Sequence, residues 1–317
     1  MPSGPSFRNR TLALSADDRS RLEPELERAR ALGASRSRLA PADATDALIL
    51  GDALEILPRL PPASVDLLVA DPPYNLDKDF GATRGARMSE EGYEEYTRAW
   101  VEAALPLLKR EASVYVCCDW RCSSAVQRVL SRSFTVRNRI TWEREKGRAS
   151  SRNWKSAHED IWFATVSDVY RFDGDAVRLR RRVRAPYREG GAPKDWVDGP
   201  AGQFRDTAAS NLWTDLTVPF WSMRENTRHP TQKPEKLLAK LVLASSRPGD
   251  LVLDPFSGSG TGAVVAKKLG RRYVAMEIDA EHCLAALRRL ELASAGARIQ
   301  GYDDGLFWER NSGPRKA

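Results

Sequence analysis

Long apolar runs are missing from this sequence. No stretch of its 317 residues approaches the ~18 uninterrupted apolar side chains of a bilayer span, so no membrane-spanning helix is expected. The first ten residues hold one large apolar side chain beyond Met1 and two arginines, which predicts no secretory leader. Cysteine is scarce. Of the four, Cys117, Cys118 and Cys122 cluster without a CxxC spacing or a neighbouring histidine, and Cys283 stands apart. They read as small thiols of a reducing cytoplasm, not as a disulfide framework or a zinc site. The three histidines, His158, His229 and His282, are too dispersed along the chain to suggest a metal cluster. Internal repeats and long low-complexity tracts are absent as well.

What is present is an ordinary globular composition, long enough for one large domain with an insert or for two domains. A chain of this length removes roughly three-quarters of its unfolded surface from water and needs no covalent staple. The charge leans one way. Fifty Lys and Arg against 43 Asp and Glu leave a net +7, which suits a polyanionic partner.

Residues 1–45 mix Arg, Asp, Glu and Ala around Pro24 and Pro41 and suggest an N-terminal arm that frays, with one short helix over 15–32. Apolar runs at 47–50, 65–70, 113–118, 134–142 and 160–166 predict strands, with helices at 90–109 and 122–130. Residues 167–226 break this rhythm. Six arginines, Arg178, Arg180, Arg181, Arg182, Arg184 and Arg188, follow one another with no acidic residue between them, and glycines and scattered aromatics suggest a loop-rich insert. Alternation resumes with a helix at 235–246, a strand at 250–253, a helix at 261–269, a strand at 273–277 and a helix at 280–293. The pattern predicts an α/β core with a mostly parallel sheet. The divisions expected are an arm (1–45), one half of the core (46–166), the insert (167–226), the other half (227–297) and a C-terminal tail (298–317).

Two motifs carry chemistry. The strand at 250–253 runs into Asp254-Pro255-Phe256-Ser257-Gly258-Ser259-Gly260-Thr261, a glycine-rich turn opening a helix. Such a turn lets a ligand approach the backbone, and the helix start offers free N–H groups. Glu277, at the end of the next strand, is placed to accept both hydroxyls of a ribose. These features predict a nucleoside-containing cofactor, and the spacing fits a dinucleotide fingerprint equally well. Ser257 and Ser259 read as loop donors, since no His–Asp partner is evident. The second motif, Asp71-Pro72-Pro73-Tyr74, follows the strand at 65–70. The Asp71 carboxylate and the Pro72 carbonyl can accept hydrogen bonds from one exocyclic amino group. The two prolines hold those acceptors rigidly, and Tyr74 supplies a flat face. This is a pocket for a planar aminated heterocycle drawn out of its helix. A dinucleotide-dependent oxidoreductase would leave this tetrapeptide idle, and a silent nucleic-acid-binding module would not need it.

Together with His229-Pro230-Thr231-Gln232-Lys233-Pro234, these motifs resemble the S-adenosylmethionine-dependent amino-methyltransferases of DNA, in the permuted order of their β group. The resemblance covers about 46–166 and 225–295. It implies a Rossmann-like, doubly wound, seven-stranded sheet with an inserted target-recognition subdomain. It also implies a site-specific enzyme that flips its target base, in a restriction–modification system or as an orphan relative. Asp71 at the head of the tetrapeptide favours adenine N6 over cytosine N4. Carried across by position, Asp254, Phe256, Gly258, Gly260 and Thr261 wrap the methionine part of the cofactor and Glu277 holds the ribose. Asp52 and Ala53 border the adenine edge, while Thr231 and Lys233 border the methionine carboxylate. Asp71 and Pro72 bind the target amino group with Tyr74 stacking, Asp71 also borders the cofactor together with Ser257 and Ser259, the insert arginines meet double-stranded DNA, and no metal is required. The resemblance implies S-adenosylhomocysteine as product and allows a homodimer and a cognate endonuclease as partners. One departure is Gly262, where many members have a second threonine, and little consequence is expected from it.

Overall fold

The computed structural model describes residues 8–75, 78–79, 84–85, 87–144, 151–183, 187–199 and 202–310. In chain order come α1 (Ala16–Ala34), β1 (Ala47–Leu50), α2 (Ala53–Ile56), β2 (Val65–Ala70) and α3 (Glu90–Ala104). Then follow β3 (Leu108–Cys118), α4 (Ser123–Ser133), β4 (Thr135–Glu143) and β5 (His158–Thr165). The insert supplies β6 (Leu179–Arg182), β7 (Val197–Gly199), β8 (Gly202–Thr207) and the short β9 (Leu212–Trp213). The core resumes with α5 (Glu235–Ser245), β10 (Leu251–Asp254), α6 (Thr261–Lys268), β11 (Arg272–Glu277) and α7 (Ala280–Ala295). Two more strands, β12 (Tyr302–Asp303) and β13 (Leu306–Trp308), close the described chain.

One sheet organises the core, in the order β1-β11-β10-β2-β3-β5-β4-β9. Every strand in it runs the same way except β5, which is antiparallel to both neighbours. The eighth strand, β9, is a two-residue pairing added by the insert at the sheet's edge, beyond the seven expected. β2 is buried almost throughout, as a strand covered on both faces must be, and its apolar run needs no alternation. Helices α1, α5, α6 and α7 pack on one face around Leu237, Val264 and Leu284, and α2, α3 and α4 on the other around Ile56, Trp100 and Val126. β10 and β2 lie side by side at the centre. The chain leaves β10 through α6 on one face and leaves β2 toward α3 on the other. A crevice opens where these connections diverge, outside the carboxyl ends of the two strands.

Three regions differ from the sequence expectations. Helix α3 stops at Ala104, short of residue 109, because Pro106 has no N–H to donate; a tight turn over Leu105–Leu107 leads straight into β3. The N-terminal arm does not fray within its described part. Ser15 and Asp18 cap α1 reciprocally, and Leu22, Leu26 and Ala29 form a buried stripe against the core. Arg19 reaches Glu281 of α7 at 2.6 Å. The segment expected as a tail, 298–317, is ordered over its described part and belongs to the insert's sheet. That sheet runs β7-β8-β6-β13-β12, with Phe307 fully buried and Trp308 nearly so. Two adjacent large aromatics need a core, and here they complete one.

Candidate active site

The pairing of Val252 with Leu67 and Leu253 with Leu68 brings the chain out of β10 and β2 at one edge of the sheet. There a cavity of about 330 Å³ gathers three segments that lie far apart in sequence. Its walls include Asp71, Pro72, Pro73 and Tyr74 after β2, Thr231 and Lys233 before α5, and Asp254, Phe256, Ser257, Gly258, Ser259 and Thr261 after β10. Asp52 and Ala53 at the start of α2 and Glu277 at the end of β11 complete it. Among the expected residues, Gly260 alone stands behind the wall, where its left-handed backbone starts α6 and a Cβ would lie 2.6 Å from that of Ala286.

The side formed by β10 and β11 is knit by short-range contacts. Glu277 accepts the Gly258 N–H at 2.7 Å and the Asp279 N–H at 2.9 Å, so its carboxylate bridges the turn and the end of β11. Asp52 caps α2 by accepting the Leu54 N–H at 2.9 Å. The Phe256 ring stands edge-on to Trp100 at 5.5 Å. Asp254 accepts only a long bond from the Phe256 N–H, 3.3 Å, and burial, with the Asp71 and Glu277 charges adding to it, pushes its carboxyl up to about 8. Its carboxylate fills the space that a side chain at 262 would take, since a Cβ there would come within 2.2 Å of Oδ2. A side chain at 262 would require the Asp254 carboxylate to shift, so the identity of residue 262 and the seat of Asp254 are linked. Ser257 Oγ is buried on the cavity wall and meets no hydrogen-bond partner.

Sequence reasoning missed the supports of this side. Arg289 of α7 donates to the Ser259 carbonyl and to Thr261 Oγ1, both at 2.9 Å, and pairs with Glu235 at 3.0 Å. The His229 ring lies under Gly258, whose absent Cβ would be 2.8 Å from Nε2. It also meets the His282 ring at 4.4 Å, so two histidines far apart in the chain are neighbours in space. Burial holds His229 neutral, pushing it down to about 3, while the Glu277 carboxylate, 3.8 Å from Nδ1, raises His282. Among the described residues no group of three or more His, Cys, Asp or Glu is arranged to hold a metal, and all four cysteines are buried free thiols.

The side formed by β2 is held by side chains. Lys233 Nζ donates to both Asp71 oxygens, at 2.8 and 2.7 Å, and lies 3.3 Å from Glu159 Oε2. The Tyr74 hydroxyl donates to the same Glu159 oxygen at 3.1 Å, and the ammonium lies 5.1 Å from the Tyr74 ring centroid. Arg144 pairs with the other oxygen of Glu159. Burial pushes the Asp71 carboxyl up and the ammonium pulls against it. Lys233 itself is raised: burial opposes its charge, but Asp71 and Glu159 outweigh burial. Burial likewise acts to raise Glu159, yet Lys233 and Arg144 bring it below its ordinary value. The ammonium, held against both Asp71 oxygens and near Glu159, favours the ionised forms of the two carboxylates against burial. Glu159 had no sequence signal beyond two acids opening an apolar strand, because only the reversal of β5 brings that strand's start to the cleft.

The insert arginines are not one uniform face. Arg180 forms a two-pronged bond with Asp206 of β8 at 2.7 and 2.6 Å, and Arg178 binds the Asp206 carbonyl at 3.0 Å. The acid missing from the run comes from the neighbouring strand. Arg181 shares the inner face of β6 with buried Leu179, whereas Arg182 and Arg188 are exposed beside Phe204 and Trp196. Arg184 lies outside the described residues. Trp213 is core and Trp221 is half exposed.

A mostly parallel sheet that brings an Asp-Pro-Pro-Tyr turn and a glycine turn to one cleft defines a class. Residues 65–288 match the N6_N4_Mtase family of DNA methylases, and the chain belongs to that family. The DNA adenine methyltransferase YhdJ of Escherichia coli (strain K12) is 35% identical over 251 residues, covering 78% of this chain and 83% of the relative. The type II methyltransferase M.HpaI of Haemophilus parainfluenzae is 32% identical over 259 residues, covering 81% and 76%. The fold is shared with the PvuII DNA methyltransferase (cytosine-N4-specific) at a TM-score of 0.58 and 18% identity, over 78% of this chain and 90% of that one. A second solved structure, a putative DNA modification methylase from Thermus thermophilus, matches at 0.55 and 20%, over 84% and 98%. Among the described residues no helix is long and apolar enough to cross a membrane.

Proposed function

We propose that this chain transfers a methyl group from S-adenosylmethionine to the exocyclic N6 of adenine at a specific site in double-stranded DNA, releasing S-adenosylhomocysteine. The observation that carries this reading is the meeting in one cavity of Asp71-Pro72-Pro73-Tyr74 with the glycine turn after β10. Membership of the DNA methylase family and the adenine activity named for the Escherichia coli relative support it.

The residues present fit the donor. The unpartnered Ser257 hydroxyl, buried on the cavity wall, suits a polar ligand pressed against the turn. Asp254, Phe256, Ser259 and Thr261 flank its methionine part, with Thr231 beside them and Gly260 setting the turn. Glu277 accepts from the ribose, and Asp52 with Ala53 borders the adenine edge. The donor supplies a methyl group activated on a sulfonium. The protein must make a poor nucleophile competent, since the amino lone pair is delocalised into the ring. Asp71 and the Pro72 carbonyl accept its two hydrogens out of the ring plane and localise that pair. Pro73 stiffens the turn, and the Tyr74 ring holds the base by stacking. Positive charge developing on nitrogen faces the Asp71 carboxylate. The base must leave the duplex to reach this depth.

DNA then lies across the carboxyl edge of the sheet. Arg178, Arg182 and Arg188 face its phosphates from the insert, and Arg180 braces them through Asp206. Trp154, 95% exposed on the connection between β4 and β5, stands on the same edge. Action in the cytoplasm, self-association and a cognate endonuclease belong to the same reading.

The test is tritiated donor with unmethylated genomic DNA, followed by nucleoside chromatography and long-read modification mapping. Label in N6-methyladenine at one short motif is the expected result. Label in N4-methylcytosine would overturn the choice of base, and failure to bind the donor would overturn the whole reading. Resistance of the methylated DNA to a cognate endonuclease and sedimentation of the chain test the remaining parts.

A further inference from the structure

Lys233 occupies the very oxygens on which the target amino group has to dock. Its ammonium donates to both Asp71 oxygens at 2.8 and 2.7 Å, and its side chain is only 6% exposed. A carboxylate shared with an ammonium is a weaker acceptor for a second donor, and its charge is already offset. An incoming base therefore meets an acceptor that is ionised but occupied. An exit is built beside it. Glu159, equally buried, holds Oε2 at 3.3 Å from the same ammonium, close enough for a short swing of Lys233 to turn the contact into a full hydrogen bond. Arg144 grips the other oxygen of Glu159, and the Tyr74 hydroxyl donates to Oε2, so this carboxylate stays charged and fixed.

We propose that Glu159 is a positioning residue which draws Lys233 away from one Asp71 oxygen as the target amino group arrives, leaving Asp71 ionised and open toward that group. The inference rests on the methyl-transfer reading above. Lys233 thereby serves two states of the cleft. Before the base docks it keeps Asp71 charged in a buried site. Once the base has docked it leans on Glu159, and the charge developing on nitrogen then faces a free carboxylate oxygen. No new bond is made or broken beyond the transfer itself: the amino lone pair forms the bond to carbon, the carbon–sulfur pair returns to sulfur, and the nitrogen then gives its proton to water.

The groups facing Asp71 that titrate or carry charge are Lys233, Glu159, Tyr74, Cys117 and Asp254, with Arg144 behind Glu159. They set opposite signs for two single changes. In Glu159→Gln the ammonium stays on Asp71, so the plateau rate falls, and loss of a neighbouring negative charge moves the acid limb of the rate profile to lower pH. In Lys233→Gln Asp71 loses its cation, and the acid limb moves to higher pH. The double change removes the competing ammonium together with its exit.

The experiment measures single-turnover methylation against pH for the full chain and these three variants, with donor affinity measured separately. Glu159→Gln is expected to lower kcat on the order of 10- to 100-fold, the size found when a partner that orients a reacting group is removed, with donor affinity within about twofold of the parent. The double variant is expected to be faster than Glu159→Gln alone above the acid limb. An unchanged rate in Glu159→Gln, or a double variant slower than Glu159→Gln, overturns the proposal, since a merely structural role gives additive losses and no opposed shifts. If Glu159→Gln does not fold, as judged by its melting curve, Glu159→Asp with and without Lys233→Gln decides by the same comparison. A parent chain that binds donor yet methylates no DNA removes the methyl-transfer reading and this inference with it, and that outcome is distinct from an active parent with an indifferent Glu159.

Discussion

The two walls of the cleft are built by different means. The wall formed by β10 and β11 is held mainly through backbone groups: Glu277 receives two N–H groups, Asp52 caps its own helix, Asp254 sits against Gly262, and Arg289 of α7 grips the Ser259 carbonyl from behind. The wall formed by β2 is held by side chains from three remote segments, Asp71, Glu159 and Lys233, joined through one ammonium. The first arrangement is preset by local conformation, so a ligand meets it ready-made. The second is a set of charges that can redistribute without moving the backbone, which suits the wall where charge develops during reaction. Ligand binding and chemistry should therefore separate by wall under mutation.

The largest expected effect tests that separation directly. Asp71→Ala should lower methyl transfer by roughly 10³-fold, as loss of an electrostatic contact to the reacting group does, and leave donor affinity nearly intact. Single-turnover rates beside equilibrium donor binding check it, and a parallel loss of both would erase the distinction between the walls. Next, Gly262→Thr should damage the other wall. The new Cβ cannot share space with Asp254 Oδ2, so we expect a loss of about 1–3 kcal/mol in stability together with weaker donor binding. Denaturant melts and donor titration decide, and a neutral result would mean that Asp254 has an alternative seat.

A smaller effect concerns pH. Asp254 has an ordinary value of 3.8 and is raised to about 8, so the native state keeps a proton that the unfolded chain releases between those limits. Its contribution to stability is full below the unfolded value and is lost as pH rises through about 8. The parent melting temperature should fall relative to Asp254→Asn between pH 5 and pH 9, and parallel curves would sink the idea. The smallest effect separates two neighbouring arginines. Arg182→Ala should reduce the salt slope of DNA affinity by about 1. Arg180→Ala, whose charge is engaged by Asp206, should mainly cost stability of at most about 1 kcal/mol.

The same contrast explains what the sequence revealed. The β10 wall was legible because its residues are consecutive: strand, turn and helix start can be read in a dozen positions. The tetrapeptide after β2 was legible for the same reason, and the alternation of apolar runs gave the layered core. Lys233 was seen, but its engagement with Asp71 and Glu159 was not, since nothing in local spacing states that β5 runs backwards. Asp206 on β8 was equally invisible from within the arginine run. Pro106 was readable and was overruled by the helical pattern around it. The aromatic pair Phe307 and Trp308 announced burial, but only the sheet order says against what.

That last pairing bears on the order in which the molecule is assembled. β13 lies parallel to β6, with Phe307 beside Leu179, so the insert's sheet has its inner strand made midway through synthesis and its neighbour made more than a hundred residues later. A nascent chain that has reached β6 still lacks β10 and β11, which join β1 to β2, as well as β13, so the cleft and the arginine-bearing sheet are both completed only by the last third of the chain. Closing so long a loop is the slow, entropically costly kind of contact. Both parts of the molecule thus await the same late stretch of synthesis, which ties the completion of the cleft to the completion of the insert's sheet.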